Sequence, residues 1–141
     1  MSAIGFALED RLARGGEQIA ALPLCLVLLK HDARWPWIIL VPQRADLAEL
    51  HDLSPVDAAQ LMLEVRAASA AIAAEDGVEK INVAALGNIL RQLHIHVVGR
   101  WLGDPAWPDP MFGLPGKIAY EPDALISRMA RLRDRLGPLA H

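Results

Sequence analysis

Apolar positions recur at helical spacing in two long stretches of the chain and crowd into short strand-like runs between them. After Ser54-Pro55, the side chains of Ala58, Leu61, Met62, Val65 and Ile72 fall on one side of a 3.6-residue repeat. Ser54 offers an oxygen to the free N–H groups of a helix start, Pro55 needs no donor there, Asp57 lies in the first turn and Gly77 supplies a stop. A second amphipathic helix follows Pro122, with Leu125, Met129, Leu132 and Leu136 inward, Arg128, Arg131 and Arg135 mostly outward, and Gly137-Pro138 at its end. A short N-terminal helix is expected around Phe6, Leu8 and Leu12, ending near Gly15-Gly16. The strand-like runs are Leu24 to Lys30, Trp37 to Val41, Ile81 to Leu86 and Leu93 to Val98.

The first two runs read as a hairpin. The segment from His31 to Pro36 has turn chemistry, Pro36 sets the entry to the second strand and Pro42 ends it. Hairpin strands, a long helix and further strands predict an α+β domain, an antiparallel sheet with flanking helices, rather than alternating βα units. With 141 residues and 53% apolar side chains, the chain is expected to form one domain over residues 1–141.

Charge and composition exclude several classes. The net charge is −3 and no run of like charges stands out, which argues against broad nucleic-acid binding. The longest apolar stretch is about ten residues, broken by Pro23, too short to span a bilayer. The N-terminus, with Glu9 and Asp10, does not read as a secretory signal, so a cytoplasmic protein without a membrane partner is expected. The lone Cys25 lies in an apolar run and reads as a buried, unreactive thiol.

Candidate chemistry concentrates in Gly87 to Arg100. On a strand, Gln92, His94 and His96 share one face while Leu93, Ile95 and Val97 share the other. Same-face neighbours stand about 6.5–7 Å apart, close enough for two imidazoles to touch one phosphate. A solvated sheet face carrying two histidines fits the same pattern. A zinc chelate also uses imidazoles at i and i+2, but neither H-E-x-x-H nor C-x-x-C accompanies the pair, and no metal site is assigned. Arg100 falls on the histidine face if the strand continues past Gly99; it reads equally as a phosphate contact or a solvated strand end.

The run Gln92-Leu93-His94-Ile95-His96-Val97-Val98 resembles the signature of the histidine triad (HIT) nucleotide hydrolases and transferases, His-φ-His-φ-His-φ-φ with φ apolar, glutamine standing in for the first histidine. His31-Asp32 followed by Ile38 to Pro42 is similar to that family's first hairpin, and Asn82 with Gly87-Asn88 to its approach to the triad. The resemblance spans roughly residues 22 to 101, leaving a C-terminal loop and helix over 102–141. Leu86-Gly87-Asn88, Asp104 and Ala106-Trp107-Pro108 further resemble a bacterial branch in which the first histidine is glutamine.

The resemblance implies a nucleotide or dinucleotide substrate cleaved at its α-phosphate through a nucleotidyl-histidine intermediate on His94. His96 would stabilise phosphate oxygen, and Gln92 would complete the catalytic set. His31, Asp32, Asn82, Gly87, Asn88 and Arg100 become candidate nucleotide-binding residues, with Asp32 toward the ribose and Leu26 or Val27 near the base. A homodimer joined through sheet and helix into a larger continuous sheet is implied. No cofactor is required, although a polyphosphate substrate can bring a divalent cation. Three departures bear on activity: Gln92 cannot titrate near pH 7, Ala45 replaces a further histidine, and Ile89 replaces a serine. A nucleotide-binding regulatory module without turnover is the alternative.

Only seven residues are aromatic, yet Trp101, Trp107, Phe112 and Tyr120 cluster behind the triad segment, within a stretch from 99 to 121 rich in proline and glycine. A loop of that length is more often functional than incidental. Trp101, Trp107 or Phe112 is expected either to cover an active site or dimer contact, or to anchor the loop on its own core.

Overall fold

The computed structural model describes residues 5–139. Five antiparallel strands form one sheet in the order β1-β2-β3-β5-β4. They are β1 (Gly16–Ala21), β2 (Cys25–Lys30), β3 (Trp37–Pro42), β4 (Lys80–Ala84) and β5 (Ile95–Arg100). Helix α1 (Asp10–Arg14) precedes β1, α2 (Pro55–Ala73) joins β3 to β4, and α3 (Pro122–Leu136) closes the described chain. The α+β architecture and the hairpin of β2 and β3 agree with the sequence reading; β1 does not appear in it. In β1 the residues Gly16-Glu17-Gln18-Ile19-Ala20-Ala21 do not alternate cleanly, because the pairing with β2 shifts register between Gln18 and Ala20.

Both faces of the sheet are covered, which explains why β3 is buried along its whole length. On one face, Leu61, Ala68 and Ile72 of α2 and Leu132 and Leu136 of α3 close over Val27, Ile38, Leu40, Ile95 and Val97. On the other, Leu12, Trp35 and Met111, with Phe6, Leu8, Trp101 and Phe112, close over Leu28, Trp37, Ile39, Val41 and Val98. The N-terminal segment and the long loop thus replace a second helix layer.

Helix α2 begins where expected, with the Ser54 hydroxyl accepting the Asp57 N–H at 3.1 Å. Its inward set differs. Met62 is 59% exposed, while Glu64 is buried and accepts from the N–H groups of Leu24 (2.7 Å) and Cys25 (2.8 Å). That carboxylate satisfies backbone donors at the start of β2 and, after burial itself, helps push the Cys25 thiol well above its ordinary range. The expected outward arginines of α3 instead converge: Arg128, Arg131 and Arg135 all pair with Glu75. Burial would raise the Glu75 pKa, but hydrogen bonds from the arginines outweigh it and bring it down to about 2.

Strand β5 starts and ends two residues later than the sequence reading placed it. Gly99 does not turn the chain; it pairs with Ile81 inside the sheet. A Cβ there would lie 2.8 Å from Pro36 Cγ and 2.9 Å from Ile72 Cγ2, so the glycine permits the close approach of α2 and the β3 entry.

Candidate active site

The later start of β5 leaves His94 immediately before the strand and His96 within it, opposite Ile39 of β3. The two imidazoles remain neighbours, with ring centroids 5.1 Å apart. His94 is 6% exposed and His96 8%.

Their hydrogen bonds assign opposite tautomers. His94 Nδ1 lies 2.7 Å from the carbonyl oxygen of Gln92, an atom that only accepts, so in the neutral imidazole Nδ1 carries the proton and Nε2 the lone pair. His96 Nδ1 lies 3.0 Å from Trp37 Nε1, an N–H that only donates, so Nδ1 accepts and the proton sits on Nε2. Burial first, then the neighbouring His94 and Lys30, push the His96 pKa down to about 4. The site therefore pairs a nucleophile-ready nitrogen with a neutral hydrogen-bond donor.

Two adjoining clefts meet at these side chains. The larger, about 360 Å³, is bounded by Gly87, Asn88, Ile89, Leu90, His94, His96 and Phe112. The smaller, about 220 Å³, shares Gly87 and His94 and adds Glu49 and His51. Gly87 takes φ +71°, the left-handed conformation glycine adopts without strain, which lets the chain turn closely past the histidines.

Of the residues singled out from sequence, His94, His96, Gly87, Asn88 and Phe112 come together at this cleft. The others are placed elsewhere or already engaged. The Gln92 amide faces the N-terminal segment, accepting from Glu9 N–H and donating to the Ala7 carbonyl, each at 2.8 Å. Arg100 is on the histidine face of β5 but 1% exposed, bound to Asp104 at 2.6 Å, to Asn82 Oδ1 at 2.8 Å and to the Asp109 carbonyl at 2.9 Å. It is thus a buried loop clamp, not a solvated strand end, and it occupies Asn82 as well. Burial would raise the Asp104 pKa, but the Arg100 guanidinium holds it far below the carboxylate range.

Asp32 is buried against Arg34, with an Nη2 to Oδ2 distance of 2.8 Å, and Arg34 reaches on to the carbonyls of Leu114 and Pro115. The carboxylate expected to face ribose ties down the distal half of the loop. His31 pairs with Glu17 at 3.3 Å. Trp107 lies against the Arg100 guanidinium and Trp101 joins the core beneath the loop, so these two anchor it, whereas Phe112 contacts His96 at 5.0 Å between ring centroids.

Trp37, Lys30 and Glu49 are not singled out by sequence and His51 is set aside there for want of a motif, yet Trp37 bonds His96, Lys30 lies over Trp37, and Glu49 and His51 line the smaller cleft. Period-two spacing puts Trp37 on the Ile39 face of β3, but which strand that face meets depends on register. His51 and Glu49 belong to no motif and reach the smaller cleft only through the turn before α2.

Comparison with known proteins follows the same lines. A family model described as HIT domain matches residues 16–101. Among solved structures, a histidine triad (HIT) protein from Sinorhizobium meliloti 1021 is 44% identical with a TM-score of 0.92, covering 96% of this chain and 100% of its own. A histidine triad protein from Bradyrhizobium japonicum is 39% identical with a TM-score of 0.90, covering 93% of this chain and 98% of its own. One from Marinobacter aquaeolei VT8 is 39% identical with a TM-score of 0.91, covering 96% of this chain and 98% of its own. A comparison with curated proteins finds no match. Among the described residues, no helix is long and apolar enough to cross a membrane.

Proposed function

The chain belongs to the HIT domain family, and from that premise we propose that it is a nucleotidyl hydrolase or transferase acting at the α-phosphate of a nucleotide or dinucleoside polyphosphate. The observation that carries the reading is the tautomer of His94: its Nδ1–H is given to the Gln92 carbonyl, so the Nε2 lone pair is available where two clefts meet.

In the first step Nε2 attacks the α-phosphorus, a nitrogen–phosphorus bond forms, and the bond to the leaving group breaks with its electron pair leaving. Charge accumulating on the phosphoryl oxygens meets the Nε2–H of neutral His96 and donors around Gly87-Asn88. Water or another acceptor then attacks the same phosphorus, releasing the nucleotide and regenerating His94. A polyphosphate leaving group brings its own divalent cation; the chain needs no resident cofactor. The Gln92 amide is no acid near pH 7 and is held by the N-terminal segment, so the leaving-group proton comes from solvent or from the smaller cleft, where His51 stands.

The same engagement of Gln92, with Ala45 and the 80% exposed Ile89 in place of polar groups, favours a second reading, a nucleotide-binding regulatory module. Adenosine phosphoramidate, dinucleoside polyphosphates and nucleotide sugars, assayed with wild type and His94→Ala, separate the two. The enzyme reading expects turnover of at least one substrate that falls by roughly 10³-fold or more in the variant. Binding without His94-dependent turnover on every substrate establishes the module instead.

We propose further that the protein is a homodimer. Among the described residues, strand β4 is a sheet edge paired on one side only, Val83 on it is 49% exposed, and Met62 of α2, 59% exposed, lines the same apolar cleft.

A further inference from the structure

Trp37 belongs to no part of the motif that identifies the site, yet it makes the one polar contact that settles what His96 can do. We infer that Trp37 is a positioning residue: its indole N–H fixes His96 as the Nε2–H tautomer and so turns the histidine into a permanent neutral donor aimed at the phosphoryl group.

The geometry follows from register. Trp37 is paired with Val98 and Ile39 with His96, so Trp37 and His96 are diagonal neighbours on one sheet face, a separation a long aromatic side chain spans. The indole Nε1 reaches His96 Nδ1 at 3.0 Å with both residues buried. An indole N–H has no acceptor capacity and a neutral imidazole carries one proton, so this contact permits a single tautomer. Protonating His96 would set two donors against each other, at the cost of the hydrogen bond and of placing a charge on a largely buried ring.

The surroundings act in the same direction. Phe112 packs tilted against the His96 ring at 5.0 Å and edge-on to the Trp37 ring at 5.9 Å, covering part of the pair. The titratable groups acting on His96 are His94 and Lys30, both of which oppose a positive charge there; Lys30 Nζ lies 5.4 Å over the Trp37 ring. A cation over the indole face withdraws electron density and makes its N–H a better donor.

This inference rests on the reading of His94 and His96 as the reacting pair, but its test runs without substrate. In 15N-labelled wild type, a scalar coupling across the hydrogen bond between Trp37 Nε1 and His96 Nδ1 is expected. Long-range 1H–15N spectra should show His96 protonated on Nε2 and His94 on Nδ1. In Trp37→Phe, His96 should populate both tautomers and titrate closer to its ordinary value near ~6.5. With a cleaved substrate, kcat should fall roughly fivefold to tenfold, the loss expected for one oriented neutral hydrogen bond, with KM changed less than twofold.

A wild-type spectrum with His96 protonated on Nδ1, or lacking the coupling, overturns the inference even if the variant does not fold. So does a folded Trp37→Phe that keeps a single Nε2–H tautomer and an unchanged titration. If no substrate is turned over, the catalytic reading falls alone and the spectra still decide the role of Trp37.

Discussion

His94 and His96 carry the same side chain two positions apart, and what distinguishes them is the partner each Nδ1 meets: a carbonyl that only accepts for one, an indole that only donates for the other. That difference has a consequence for stability. The folded protein holds the His96 pKa at about 4, whereas an unfolded chain lets it rise to its ordinary value near ~6.5. Between those values the unfolded state binds more protons, so stability falls as pH drops below about 6.5 and is untouched by this group above it. Urea unfolding of wild type and His96→Asn should therefore diverge with pH. Wild type should lose about 2 kcal/mol more than the variant between pH 7 and pH 5, and parallel curves would show that His96 is not held neutral. The identity of both histidines was legible in the H-x-H spacing. Their tautomers were not, because the deciding atoms are a local carbonyl exposed by the late start of β5 and a tryptophan on another strand.

Among the elements, the segment without helix or strand from 101 to 121 is tied to the sheet by two ion pairs. The buried pair Arg100–Asp104 clamps its first half, and Asp32–Arg34 clamps its second through the carbonyls of Leu114 and Pro115. Asp104→Ala would strand the Arg100 guanidinium and should cost about 3–5 kcal/mol in chemical denaturation. A surface-like loss below about 1 kcal/mol would mean that the loop is not clamped there. Gln92 joins the N-terminal segment to the site in the same manner. Gln92→Ala should lower stability by about 1–3 kcal/mol and speed amide exchange in residues 6–14, while leaving exchange in α2 unchanged. Helix α2 was readable because Ser54, Pro55 and the apolar repeat act locally. Strand β1 and the true ends of β5 were not, since a register shift and contacts of Gly99 with Pro36 and Ile72 set them from outside their own sequence. The arginines were ambiguous for the same reason: a guanidinium reads alike whether it meets phosphate, water or a distant carboxylate.

At the scale of the whole molecule, the two faces of the sheet divide the work. Helices α2 and α3 supply the larger apolar core, and the opposite face carries the histidines beneath the N-terminal segment and the loop. The net charge of −3 is no obstacle to a phosphate site, because His96 and the backbone near Gly87 supply local donors. The free edge at β4 is where a second copy should add. Val83→Lys should convert a dimer to a monomer in sedimentation velocity, and a wild type that sediments as a monomer at micromolar concentration removes the dimer from the account. The central claim remains nucleotidyl transfer through His94, and the stereochemistry at phosphorus tests it most directly. A dinucleoside polyphosphate with a chiral α-phosphorothioate, hydrolysed in 18O-labelled water, should give an 18O-labelled nucleoside monophosphorothioate of retained configuration at phosphorus, because attack by His94 and attack by water each invert once. Inversion would mean that water displaces the leaving group in a single step and that His94 is not the nucleophile.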